Sequence, residues 1–251
     1  MADIISLQGK KAFVTGASSG IGRAIALAIG AAGGKIALCA RRQDKLVELA
    51  IEINESGGTA KLFPADLFDE SQIISSISAA ADCFNGLDIL INSAGIGRQA
   101  SLIDGDSRDW AEMMNLNVLA LATASREALR YFPESGGQII NISSLSGHRV
   151  PGRGGFYSAT KFAVRAMTEG LRQELRLAGN LTRVSSISPG FVDTGLLDDY
   201  FQSGNGMSKQ EAIQFPILEP ENIAAIAIHQ LTAPENVDIT DVLVRPTRQA
   251  V

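Results

Sequence analysis

K-K-A-F-V-T-G-A-S-S-G-I-G, residues 10 to 22, decides the fold. Lys10 to Thr15 reads as a short buried strand, and an apolar pattern of helical period runs from Ile21 to about Ala32. Between them three glycines stand in the spacing G-x-x-x-G-x-G rather than the commoner G-x-G-x-x-G. Strand, glycine turn and helix in direct succession form the context of a phosphate cradle. Gly16 permits the tight turn, Gly20 lets backbone N–H groups approach a pyrophosphate, and Gly22 lets the helix pack on the sheet. No G-K-[ST] follows, which sets the stretch apart from nucleotide-hydrolysing loops.

Working outward, Lys35–Ala40 is a second strand, ending at Arg41-Arg42. An acid at this strand end would bond the adenosine ribose and select NAD, whereas arginine accommodates a 2′-phosphate and selects NADP. The alternative is a pair of solvated arginines at a helix start, a placement the helix dipole disfavours. Helix 43–56 and strand Thr59–Ala65 follow. Asp66-Leu67 then sits at a strand end, where Asp66 either meets adenine or caps the helix that begins near Asp69. Strand Leu87–Asn92 runs into N-S-A-G at 92–95, small residues that let the chain pass close to a flat ring. A long helix is expected from about Ser107 to Phe132. It holds Asn117 in its interior, where asparagine is mildly unfavourable and so is either exposed or used. Gly137–Ser143 is a fifth strand and delivers Ser144. Thr182–Ser188 is a sixth, ending in Pro189-Gly190. Residues 195–219 lack periodicity, Pro220 opens a helix, and Ile239–Val244 closes the set. Strands alternating with helices, without linker or repeat, predict an α/β chain. The expectation is one Rossmann-like, doubly wound parallel sheet of about seven strands covered on both faces, a single domain over 1–251.

The chain of 251 residues is 45% hydrophobic and 20% charged, with a net charge of −5 and a sequence pI near 5.1. An acidic chain with no basic run longer than the pair Arg41-Arg42 is not built for nucleic acid. The opening M-A-D-I-I-S-L-Q-G-K-K has an acid where a signal peptide needs bases, and no apolar run approaches the ~20 residues of a membrane helix. Cys39 and Cys83, on a predicted strand and a predicted helix, stand in no metal-ligand spacing and are expected to be buried free thiols. The expectation is a cytoplasmic protein without a metal.

S-L-S-G-H-R-V-P-G-R-G-G-F-Y-S-A-T-K, residues 144 to 161, carries the chemistry. Tyr157 and Lys161, at i and i+4 on a helix, share one face. An ammonium beside a phenol favours the phenolate, so the tyrosine is expected to exchange protons nearer neutrality than its ordinary ~10. Such a group protonates a carbonyl oxygen or accepts the proton of an alcohol.

With T-G-A-S-S-G-I-G at 15–22, N-S-A-G at 92–95, Asn117, Ser144, Y-S-A-T-K at 157–161 and P-G-F-V-D-T at 189–194, the chain resembles the short-chain dehydrogenase/reductase family along nearly its whole length. It departs at Ser93, where the family usually has a second asparagine. The resemblance implies that Tyr157 is the general acid/base and that Lys161 holds the nicotinamide ribose and lowers the tyrosine's pKa. Ser144 would bond the substrate oxygen, and Asn117 would anchor a water relaying protons toward Lys161. It also implies an NADP(H) site formed by Gly16, Ser18, Ser19, Gly20, Ile21, Gly22, Arg41, Arg42, Asp66, Leu67, Asn92, Ala94, Gly95, Pro189, Gly190, Val192 and Thr194, shared with Tyr157 and Lys161. A narrower likeness, through S-G-H-R-V, F-Y-S-A-T-K-F-A-V, T-E-G-L-R-Q-E-L and D-V-L-V-R-P-T-R-Q, is to an NADP-dependent subgroup. It contains farnesol dehydrogenases, hydroxysteroid dehydrogenase-like reductases and 3-hydroxy acid (serine) dehydrogenases, so the likeness selects a reaction and leaves the molecule open.

The expected activity is therefore carbonyl reduction or alcohol oxidation. A 3-oxoacyl-carrier-protein reductase is the alternative within enzymes, and an NADP-binding regulator the alternative outside them. Residues 195–215 are expected to close the substrate pocket through Leu196, Leu197, Tyr200, Phe201 and Met207. His148 and Arg149 lie in the loop near the substrate. A homo-oligomer, tetramer or dimer, is the family's implication, with the D-V-L-V-R-P-T tail a candidate for contact with a neighbouring subunit.

Overall fold

The computed structural model describes residues 6–152, 154–204 and 208–250. Its strands are β1 Lys11–Thr15, β2 Lys35–Cys39, β3 Thr59–Leu62, β4 Ile89–Asn92, β5 Gln138–Ile142, β6 Arg183–Pro189 and β7 Asp241–Val244. They form one seven-stranded sheet in the order β3-β2-β1-β4-β5-β6-β7, with every pairing parallel. The helices are α1 Gly20–Ala31, α2 Gln43–Glu55, α3 Glu70–Phe84, α4 Ser107–Met114, α5 Ala120–Ala128, α6 Gly155–Leu177, α7 Gly195–Gln202, α8 Lys209–Ala212 and α9 Pro220–Leu231.

Successive side chains of a strand point to opposite faces, and both faces here are buried, as parallel strands require. Val14 of β1 joins Ile25 and Ile29 of α1, Leu38, and Ile223 of α9 in the core on one face. Its neighbour Phe13 joins Leu90, Ile139, Ile77 of α3, Ala124 of α5 and Leu175 of α6 on the other. The chain starts in mid-sheet, works outward through β2 to β3, then returns to lay β4 on the opposite flank of β1. The strand order therefore reverses between β1 and β4, and a crevice opens outside their carboxyl ends, at Thr15 and Asn92. In open α/β sheets that is where ligands bind.

Several local expectations are corrected. Regular pairing of β3 stops at Leu62 rather than Ala65, just ahead of Pro64, which has no N–H to give. The helix expected over 107–132 is not continuous. Between α4 and α5 lies a π-type turn, Asn115–Leu119, and a 3₁₀ turn follows at Leu129–Tyr131. Residues 195–219 contain α7 and α8. Cys39 is buried, its thiol pushed up to about 12 by desolvation, but Cys83 is exposed, because it falls on the outward face of α3.

Candidate active site

A cavity of about 1570 Å³ opens along the carboxyl edge of the sheet, larger than the ~300–1,000 Å³ of a typical single-ligand pocket. The glycine turn forms its floor. Gly16 has φ +68°, and a Cβ there would lie 2.8 Å from Ala94 Cα. A Cβ on Gly22 would lie 2.5 Å from the Gly16 carbonyl oxygen, so Gly22 serves the packing of α1 and does not line the cavity. At the start of α1, Ser19 makes no side-chain cap bond, and the first turn has no acid. Its N–H groups are thus left for an anion.

Beside this turn the Arg42 guanidinium donates to Ser18 Oγ (3.0 Å) and Ser19 Oγ (2.8 Å). The Arg41 guanidinium lies 5.8 Å from the centre of the Phe68 ring. Neither arginine pairs with a carboxylate among the described residues. Two unpaired cations and two hydroxyls over a helix start fit a phosphate monoester. Asp66 lines the cavity, and its carboxylate accepts from Phe68 N (3.1 Å). It does not cap α3, which is the work of Asp69, accepting from Ser71 N (2.9 Å). Leu67, Ala94, Gly95, Pro189, Gly190, Val192 and Thr194 all line the cavity. Asn92 does not. Its amide is turned into the sheet, donating to Ser125 Oγ (3.0 Å) and Asn141 Oδ1 (2.9 Å). Thr15 Oγ1 accepts from Ser93 N and Ala94 N, which holds the N-S-A-G turn against β1 without a second asparagine.

β5 delivers Ser144, whose Oγ accepts from Ser146 N (3.1 Å) as the chain turns. α6 places Tyr157 and Lys161 one turn apart, both buried. Lys161 Nζ donates to the Ile142 carbonyl (3.0 Å) and stands 5.8 Å from the centre of the Tyr157 ring. Burial pushes the Tyr157 phenol up to about 12; a hydrogen bond with Ser144 pulls it down and Tyr200 adds a smaller push upward. Burial draws Lys161 down to about 8. The expected acidic shift of the tyrosine is therefore absent in the chain alone. Desolvation disfavours the charged form of each partner, and the ammonium is spent on a backbone carbonyl.

Asn117 is neither a surface nor a simple kink residue. It is buried in the π-type turn, a distortion that recurs at functional sites. Its Oδ1 accepts from Ile96 N (2.9 Å), while Nδ2 donates to Ile96 O (2.9 Å) and Thr160 Oγ1 (3.1 Å). A Cβ on Gly95 would lie 3.1 Å from Asn117 Oδ1 and 3.8 Å from Lys161 Nζ. A side chain there would crowd Asn117, which itself does not line the cavity.

Beyond the Tyr157–Lys161 pair, α7 brings Leu196, Leu197, Tyr200 and Phe201 to the cavity. Met207 lies outside the described residues. Ring centres are 5.7 Å apart for Tyr157–Tyr200, 5.6 Å for Tyr200–Phe201 and 6.3 Å for Phe191–Phe201. His148 is turned away, with Nε2 3.0 Å from Ser188 Oγ and 3.4 Å from the Asp241 carboxylate. Desolvation holds it below the usual histidine value, helped by Arg165 and opposed by Asp241. Arg149 lines the cavity. Sequence reasoning missed Phe68, Thr160 and Gln249. Thr160 was within reach, since it sits inside Y-S-A-T-K on the helical face of Tyr157; the other two meet their partners only in the fold.

A phosphate cradle that shares one cavity with a buried Tyr–Lys pair, on a doubly wound parallel sheet, defines a dinucleotide-dependent oxidoreductase. The chain belongs to the short-chain dehydrogenase family, whose profile matches residues 10–204. It is 43% identical over 245 residues to dehydrogenase/reductase SDR family member 11 of Bos taurus, covering 95% of this chain and 96% of that one. Among solved structures it resembles the closed form of a serine dehydrogenase complexed with NADP+ (TM-score 0.88, 28% identity, 96% of each chain). It also resembles an alcohol dehydrogenase from the archaeon Thermococcus sibiricus complexed with 5-hydroxy-NADP (TM-score 0.85, 27% identity, 96% of this chain and 98% of that one). No helix among the described residues is long and apolar enough to cross a membrane.

Proposed function

We propose that this protein is an NADP(H)-dependent oxidoreductase that interconverts a carbonyl and a primary or secondary alcohol. The observation that carries the reading is the convergence of Ser144, Tyr157 and Lys161 on the cavity whose other end holds the glycine turn and Arg41-Arg42. NADP rather than NAD is favoured by two arginines without carboxylate partners where an acid would bond a free ribose, and by the NADP-bound state of both structural relatives.

The bound nicotinamide supplies a hydride in reduction and takes one in oxidation. The chain's own residues manage the proton and the charge. In reduction, the Tyr157 hydroxyl protonates the substrate oxygen as negative charge develops there, and Ser144 donates a hydrogen bond to the same oxygen. Lys161, anchored on Ile142 O, stabilises the tyrosinate left behind, and a water on the Asn117 side would pass it a proton. α7 closes the far side, with Leu196, Leu197, Tyr200 and Phe201 excluding water. The two unbridged cysteines and the acidic composition are in keeping with a cytoplasmic enzyme. A homo-oligomer remains the expectation, and light scattering measures it.

The test follows NADPH oxidation by purified protein against prenyl aldehydes, 3-keto acids, keto-steroids and diketones. Tyr157→Phe is expected to lose ~10²–10⁴-fold in turnover while its NADPH dissociation constant stays unchanged. Full turnover in that variant refutes the assignment.

A further inference from the structure

The last residues of the chain lie on its own active site. Pro246 O accepts from Gln249 N (2.9 Å), a tight turn that brings Gln249 to the cavity wall. There Gln249 Oε1 accepts from Phe191 N (3.0 Å), and the Ala250 carbonyl accepts from an Arg149 guanidinium nitrogen (3.2 Å). Gly190 makes the fit possible: a Cβ there would lie 3.0 Å from Arg245 Cβ and 3.1 Å from Gln249 Cδ. Phe191 and Arg149 themselves line the cavity, and the Phe191 ring stands 6.3 Å from that of Phe201, whose neighbour Tyr200 packs 5.6 Å from it and 5.7 Å from Tyr157.

The bond to Phe191 fixes which way the amide points. A backbone N–H can only donate, so the atom facing it is the carbonyl oxygen, and the NH₂ group is left as a donor. Among the described residues that NH₂ has no acceptor, and Arg149 has no carboxylate partner. A donor oriented in this way on a cavity wall, next to a cation, selects for an acceptor oxygen.

We infer that the C-terminal tail forms the distal wall of the substrate chamber, and that Gln249 determines specificity by binding a second oxygen of the substrate. The class is a bifunctional carbonyl compound, bearing a keto, hydroxyl or carboxylate oxygen at the end away from the reacting carbon. This rests on the oxidoreductase reading above.

The test uses the full chain and three ketones of one carbon skeleton: the monoketone, the diketone and the keto acid. Gln249→Glu keeps the length of the side chain and an oxygen for Phe191 N–H, but removes the donor and adds a negative charge. Gln249→Ala removes the side chain. Loss of one hydrogen bond is worth about tenfold. Both variants are expected to raise KM about tenfold for the diketone, and Gln249→Glu to raise it further for the keto acid. KM for the monoketone and the NADPH dissociation constant stay as in the wild type. A wild type that handles the monoketone as well as the other two overturns the inference. So does a pair of variants that shift all three ketones alike or none. If the wild type oxidises no NADPH with any of them, the oxidoreductase reading falls first and the tail assignment with it. A larger loss for the keto acid than for the diketone in Gln249→Ala identifies the second oxygen as anionic, and the reverse as neutral.

Discussion

Lys161→Met separates what the buried lysine does for the reaction from what it does to the fold. The ammonium is fully enclosed, and its pKa is drawn from 10.5 to about 8 by burial. That difference corresponds to about 3 kcal/mol by which the fold disfavours the charged form. Methionine has similar length and no charge, so it lifts this penalty, but it leaves the Ile142 carbonyl without the donor it has at 3.0 Å, at about 1–2 kcal/mol. The net expectation at pH 7, without cofactor, is a variant about 1–2 kcal/mol more stable, which is a Tm higher by roughly 2–8 °C for a chain of this size. The sign reverses with pH. Because the folded lysine titrates below the unfolded one, the unfolded chain binds more protons between about 8 and 10.5. Wild-type stability therefore rises with pH across that window, and the variant lacks this rise. Tyr157, raised from 10.0 to about 12, makes stability fall above pH 10, but it is present in both proteins. Differential scanning fluorimetry from pH 7 to 10 should show the Tm gap closing, and NADPH oxidation should be lost at every pH. A variant that is less stable by the same margin throughout would refute the claim that desolvation of this ammonium governs its energetics.

Arg41→Ala removes one of the two cations proposed to hold a 2′-phosphate. A charge-assisted bond is worth about 1.5–3 kcal/mol, so NADPH affinity is expected to fall roughly 10- to 150-fold in a fluorescence titration while NADH affinity holds. Phe68→Ala withdraws only the ring under Arg41 and should cost about two- to fivefold in the same titration; equal effects on both cofactors would dissociate these residues from the phosphate. Gly22→Ala places a Cβ 2.5 Å from the Gly16 oxygen and 3.1 Å from the Thr15 oxygen. Both are backbone atoms that cannot swing aside, so α1 must shift. Overpacking of this kind costs about 1–3 kcal/mol, partly offset by alanine's better helix propensity. Cofactor binding should weaken far more than thermal stability, measured side by side.

The fold was legible because its signals are local. The glycine turn of residues 16–22 joins a strand to a helix over adjacent residues, and alternation of strand and helix then admits few topologies. The juxtaposition of Tyr157 and Lys161 was legible for the same reason, since they share one helix. What was not legible depends on distant partners. Asn117 is consumed by Ile96 and Thr160 through a π-type turn that no residue period announces. Phe68 is paired with Arg41, a residue from another strand end. Gln249 reaches Phe191 across 58 positions. The orientation of Cys83 turned on which face of α3 it took, and one helical step decides that.

The pKa of the reactive pair belongs to this last kind, and it changes how the site is understood. Sequence spacing places an ammonium near a phenol, and in water that proximity alone favours tyrosinate. The fold adds a second effect of opposite sign, because it takes both groups out of water. Burial pushes the phenol up to about 12 and draws the amine down to about 8, so in the chain without cofactor Tyr157 is held in its protonated form. A protonated phenol is the form that donates to a developing alkoxide, so the reduction proposed above would need no prior deprotonation. The proposed oxidation would first have to remove the proton from a buried hydroxyl against desolvation. Among the described residues, the Ser144 bond is the contact that lowers the tyrosine. Exchanging it for Ala therefore works against oxidation twice, through the substrate oxygen it would hold and through the phenol it already holds.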